Sequence, residues 1–314
     1  MAYSIGNTII DDDYNIFATG NANGSANNAV RNINTIWGAG TTTYGYGQGT
    51  TVAAVSAGST ITATQWATLL TRMTSIANHQ GTSITAIGNP SAGTTISAYT
   101  ALDSNITTLF GDARFNAAAS GSDSSVTSST TATWTASATL TKTFTFPSAA
   151  ALRYYFNAGG MLRFSWSRSG GTANSQNTSW TNLFTACGTI VLTGDANSKS
   201  IAAVSYTGTT KIGGSGTPST LRTDLGVQNF TTNTTMFGQA STNVGYTANT
   251  IAFATAISGA VITCTTTLAD GSGGFTDSVD GTLSQISTLR APSTTYLTAA
   301  WGTPTQNSPA WSTS

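Results

Sequence analysis

One histidine, two cysteines and eleven acidic residues, every one of them aspartate, are the reagents from which acid–base, thiol or metal chemistry would have to be built in this 314-residue chain. A general acid or base needs a partner to tune it, and His79 has no serine–histidine–aspartate order, Gly-x-Ser-x-Gly turn or Cys/His zinc spacing around it. His79 falls instead at the end of an apolar-striped helix, where the macrodipole favours a cation. Asp11, Asp12 and Asp13 open another helix and suit its positive end. Asp270, Asp277 and Asp280 share a Gly-rich loop. Their hard oxygens could hold Ca²⁺, but the EF-hand spacing and its closing Glu are missing, and a turn between strands is the competing reading. Cys187 and Cys264 sit at locally apolar positions and read as buried thiols. Glycine runs at 38–49 and 213–216 lack the Lys-Ser or Lys-Thr of a phosphate loop. Tyr44 and Tyr46 are candidates for a saccharide platform. No catalytic residue, no cofactor and no resident metal are expected.

Periodicity shows which elements would have to position these groups. Three copies of a Gly-x-Thr-Ile step (6–9, 58–61, 93–96) each lead to a helix-like segment. The second is the clearest: Trp66, Leu69, Leu70, Met73, Ile76 and Ala77 form one stripe over 63–79 behind a Thr62 cap. The first copy gives Tyr14, Ile16 and Phe17, and the third gives Leu102, Ile106, Leu109 and Phe110 behind Ser97. A further helix is expected over 27–37. Small residues over 117–130 read as a linker. The period then changes to two, with Trp134, Ala136, Ala138, Leu140, Phe144 and Phe146 alternating with threonines, which predicts a half-buried strand. A helix follows Pro147, a strand runs over 162–166, and a helix spans 178–187. Strands are expected at 189–193, 201–206, 251–257 and 261–268, with Gly259-Ala260 as a hairpin corner. The fold class is α+β: a helical part (1–116), the linker, a mostly antiparallel β-sandwich with two short helices (131–290), and an extended C-terminal arm (291–314).

The arm carries Tyr296, Leu297, Trp301 and Trp311. Exposed aromatics mark docking surfaces, so these four are subunit-interface candidates; folding back on the chain's own sandwich is the alternative.

Composition narrows the partners. Charged residues make up 7% of the chain, against about 25% in an ordinary soluble domain, and the net charge is zero. The basic residues stand singly, so neither a phosphate-neutralising patch nor a polybasic membrane surface forms. Nucleic-acid and membrane partners are not expected. No run approaches the ~18 apolar residues of a membrane span, and no export leader is recognisable, which reads as cytoplasmic synthesis.

Two stretches carry a resemblance. Gly6 to Phe17 (GNTIIDDDYNIF) and Leu152 to Phe164 (LRYYFNAGGMLRF), together with Ile61 to Trp66 and Ile76 to His79, resemble Thr/Ser/Gly-rich virion structural proteins of tailed bacteriophages. The resemblance reaches to about residue 165. It implies a non-enzymatic tail, fibre or baseplate component found in the virion, made in the bacterial cytoplasm and partnered by its own copies and other virion proteins. The helical part would dock on the particle. Capsid decoration or binding of a host-surface glycan are the alternatives.

Overall fold

The computed structural model describes residues 11–20, 31–89, 98–229, 232–272 and 278–314. Four helices come first: α1 (Asp11–Ala18), α2 (Ile33–Trp37), α3 (Ala63–Gln80) and α4 (Tyr99–Phe110). α3 starts where a capping box predicts. The Thr62 hydroxyl accepts from the Gln65 amide and the Gln65 side chain accepts from the Thr62 amide, while Gly81 ends the helix at φ 68°. Its buried face is the expected one, Trp66, Leu69, Leu70, Met73 and Ile76.

Fourteen strands and two more helices follow: β1 (Ser120–Thr131), β2 (Ser137–Thr145), α5 (Ala149–Asn157), β3 (Met161–Ser169), α6 (Ser175–Cys187), β4 (Thr189–Leu192), β5 (Ser198–Ile201), β6 (Val204–Thr207), β7 (Thr209–Ile212), β8 (Thr220–Leu221), β9 (Thr234–Ala240), β10 (Thr250–Ser258), β11 (Val261–Ala269), β12 (Thr282–Pro292), β13 (Thr305–Gln306) and β14 (Ser312–Thr313). They make two antiparallel sheets, β1-β12-β3-β4-β7 and β13-β2-β11-β10-β9-β8, with β14 also on β2 and β5-β6 as a separate hairpin. The fold is α+β with a β-sandwich.

Aromatic side chains from facing strands fasten the two sheets. Phe164 of β3 stands 4.6 Å from Phe253 of β10 and 5.7 Å from Phe144 of β2, ring centre to ring centre. In the same layer the Trp166 indole N–H donates to Gln285 and Thr266, so the polar atoms buried there are satisfied. One apolar core runs from Tyr14 in α1 to Trp311, shared by the helices and the sandwich. Asn157 at the end of α5 ties them further by donating to the Tyr44 and Gly45 carbonyls.

Several expectations need correction. The stretch read as a linker is strand for most of its length, with β1 paired to β12 from Ser120 to Thr131. An edge strand can live on its ladder without burying a face of its own, and hydroxyl pairs such as Ser125–Thr288 and Ser129–Ser284 add rungs. The single strand over 201–206 is a hairpin, turned at Ala202 and Ala203 with φ of 50° and 62°. No glycine marks that turn, which hid it. The helix over 27–37 occupies only Ile33–Trp37 within the described residues, capped by Asn32; that over 178–187 begins earlier, at Ser175 behind Asn174. The helix of the third repeat copy, α4, starts behind Ala98 without a side-chain cap, and Ser97 lies outside the described residues, as do the Gly-x-Thr-Ile steps at 6–9 and 93–96.

Candidate functional site

The C-terminal segment lies on its own sandwich. β2 is the last full strand of its sheet, and β13 and β14 pair with its open edge: Thr305 opposite Thr145, and Ser312 opposite Thr139. Between them the chain crosses to β1. There the Gln306 amide donates to the Ser124 carbonyl, the Trp311 indole N–H to Ser128, and the Trp311 backbone N–H to the Thr130 hydroxyl. The amides of Thr135, Ala136 and Ser137 converge on the Ser314 carbonyl oxygen. Leu297, Trp301 and Trp311 are 3–5% exposed, so three of the four interface candidates are core residues of one chain. Burying two indoles and a leucine locally outweighs leaving them to a partner. Tyr296 alone stays at the surface, 44% exposed.

The tyrosine platform does not form. Tyr46 is buried, its hydroxyl accepts from Gln80 Nε2 at 3.2 Å, and its ring stands edge-on to His79. Burial raises its pKa. Tyr44 packs on Phe110 under the Arg114 guanidinium. Tyrosines two positions apart share a face only in a regular strand, and residues 44–47 lie in an irregular loop held by α5.

The loop carboxylates are taken up by the α6 end of the sandwich. Asp280 accepts from the Thr172 amide (2.9 Å), the Thr172 hydroxyl and the Asn177 amide group, and faces Arg168. The Asn177 bond first, then those from Thr172, hold its carboxyl down to about 2. Asp270 meets Gln176 and the Ser272 amide, and desolvation pushes its pKa up. Asn249, with its amide turned to suit its neighbours, donates to Asp270 at 2.8 Å and accepts from the Trp180 indole at 3.1 Å. Both carboxylates therefore act as brackets for α6, and Asp277 lies outside the described residues. Among the described residues no group of three His, Cys, Asp or Glu side chains converges as a metal site. The Asp11-Asp12-Asp13 run does open α1, and Asp11 accepts from the Gly58 amide.

His79 needs a different account from the one its helix-end position suggests. It sits in the last turn of α3, yet it is 2% exposed and its Nε2 has no partner. Burial drives its pKa down to about 4, only partly offset by the Ala158 backbone, so it is a neutral core residue. Because the folded pKa lies below the ordinary 6.5, the unfolded chain takes up a proton that the folded chain refuses as pH falls. Stability is therefore full above about pH 6.5 and is lost progressively down to about pH 4, by roughly 3 kcal/mol. As this is the sole histidine, urea midpoints at pH 7 and 4.5 should differ clearly, and His79→Gln should flatten the difference.

Two features went unread in the sequence. Lys142 of β2 is fully buried with an unpartnered amine, opposite Cys264 in the ladder. Its place in the inward parity, between Leu140 and Phe144, is the signal that would have found it. Cys264 and Cys187 are buried free thiols, as expected. Burial pushes Cys187 up to about 12 and Cys264 up as well, leaving no reactive thiolate at neutral pH. The second feature is a cleft of about 410 Å³ where the helical part meets the C-terminal segment, with Arg72 4.8 Å over the Trp37 ring on one wall and Tyr296 on the other.

None of these arrangements assembles a nucleophile, a tuned base and an oxyanion donor around one point. No helix among the described residues is long and apolar enough to cross a membrane. No family model, curated protein or solved structure matches the chain.

Proposed function

We propose that the chain is a structural component of a tailed-bacteriophage virion, tail-associated (fibre, baseplate or tail-decorating), working as an oligomer with its own copies and other virion proteins. The observation that carries the reading is the closure of the sandwich by residues 305–314, in a chain whose net charge is zero and of which only 7% is charged. A part repeated many times in one particle gains from low charge, because copies at close quarters then do not repel. The sequence resemblance supports the same reading. Antibody raised against the chain, applied to particles of the phage that encodes it, should decorate the tail. Decoration of the head would favour capsid decoration, and particles left bare would sink both.

A host-surface glycan adhesin is a second reading, favoured by the Arg72–Tyr296 cleft, where a cation and an exposed ring stand beside the Thr50 and Thr295 hydroxyls. Tyr296→Ala should then abolish binding on a glycan screen without changing the melt. Retained binding rejects this cleft.

A further inference from the structure

We propose that the cleft between α3 and residues 294–298 binds an acidic saccharide, a sugar that carries a carboxylate. This rests on the adhesin reading of the same cleft given above and names the class of its ligand.

Arg72 sets the charge of the site. Its Nε donates to the Thr50 carbonyl at 3.2 Å and its Nη2 to the Thr50 hydroxyl at 3.0 Å, while the guanidinium lies 4.8 Å over the Trp37 ring. Two bonds and a stacked ring fix the plane of the fork, so little rotamer freedom remains to be lost when a ligand arrives. What the fork lacks is an anion. Arg31, Arg163, Arg168, Arg222, Arg290 and Lys199 each meet an aspartate, and Arg72 meets none among the described residues. Of the described residues that line the cleft, none is acidic. Beneath the guanidinium, the buried Trp37 indole N–H also finds no acceptor among the described residues. Both groups are donors, and a carboxylate only accepts.

The opposite wall presents a ring. Tyr296 is 44% exposed, and an aromatic face suits the C–H face of a sugar. Its backbone is held on both sides: the Thr295 amide donates to the Ser293 hydroxyl, and the Thr298 amide and hydroxyl both donate to the enclosed Gln48 side chain. The hydroxyls of Ser75 and Thr294 are at hand for those of the sugar. A volume of about 410 Å³ lies within the range of small-ligand pockets, about 300–1,000 Å³.

A carboxylate suits this cleft better than a phosphate. A phosphate ester brings about −1.5 to −2 charges at neutral pH and calls for several cations or a nest of backbone amides. Arg72 is the one cation lining the cleft, and a carboxylate offers one charge and two oxygens in the plane of its fork. The cleft beside Thr178 and Tyr246 is larger, about 490 Å³, but is lined by no charged side chain and no exposed ring.

The test applies the full chain to immobilised oligosaccharides: uronate and sialate glycans, their carboxyl-reduced counterparts, and phosphorylated hexose oligomers. An acidic sugar should bind at least tenfold more tightly than its reduced counterpart. Arg72→Gln should remove that preference, while Arg222→Gln, which loses the same charge beside Asp224, should keep it. Should Arg72→Gln fail to fold, Arg72→Lys keeps the charge, forfeits the fork and should still cut the preference severalfold. Equal binding of acidic and reduced sugars, or preference for a phosphorylated one, overturns the carboxylate and leaves the adhesin reading of the cleft standing. A preference that survives substitution of Arg72 overturns this site. A chain that holds no saccharide of any kind overturns both.

Discussion

Replacing Lys142 by methionine should raise the unfolding free energy at pH 7 by about 2–3 kcal/mol. The side chain is fully buried, its amine finds no hydrogen-bond partner among the described residues, and desolvation pulls its pKa down to about 8. The sign follows from the direction of that shift. Below pH 8 the folded chain holds a charged amine that the unfolded chain would solvate, so the penalty is present in full. Between pH 8 and the ordinary 10.5 the unfolded chain holds the proton more tightly, and stability rises with pH. Methionine keeps the length and removes the charge. Urea melts at pH 7 and 10 decide it: the wild type should gain stability toward pH 10 and the Lys142→Met chain should not. A methionine variant less stable than wild type at pH 7 would show that the amine has a partner.

Trp311→Ala should cost about 3–5 kcal/mol, the range for removing a buried indole from a well-packed site. The side chain is 5% exposed in the seam between β1 and β2, belongs to the common core, and donates to the Ser128 carbonyl. Its loss opens a cavity and strips the seam of its plug, so β1 and β2 should both become accessible at once. Trp311→Phe keeps most of the apolar area and forfeits the indole hydrogen bond, which sets its cost near 1 kcal/mol. Chemical denaturation of both variants tests the pair. An alanine variant within 1 kcal/mol of wild type would mean that the segment rests on the surface rather than closing it.

How far the sequence could be read depended on whether a local pattern controlled the outcome. Thr62, Gln65 and the stripe from Trp66 to Ile76 specify α3 by themselves, because cap and period agree. The alternation from Ala138 to Phe144 specifies β2, and Gly259 at φ 56° makes the hairpin corner between β10 and β11 where expected. β1 has no such pattern: its serines and threonines become a strand only because β12, more than 150 residues later, supplies the ladder. The candidate site residues suffered from the same cause. Tyr46 reads as a surface ring until Gln80 and His79 are brought over it, and Trp301 and Trp311 read as partner-seeking until the seam they fill has been built. Lys142 shows the converse. Its parity placed it inside, and only the expectation that lysines stay out kept it from being counted there.

The Gln48 side chain ties the first part of the molecule to its last. It gives and takes three hydrogen bonds with Thr298, across 250 positions of sequence, and is otherwise enclosed. A chain emerging from the ribosome at roughly 5–20 residues per second would hold that amide, bonded only to the Tyr46 carbonyl beside it, without Thr298 for on the order of 10–50 s after residue 48 appears. During that wait the early helices also lack Leu297 and Trp301, which belong to the same core. Interrupted translation products would thus stay visibly incomplete, open to chaperones and proteases that pass over finished chains.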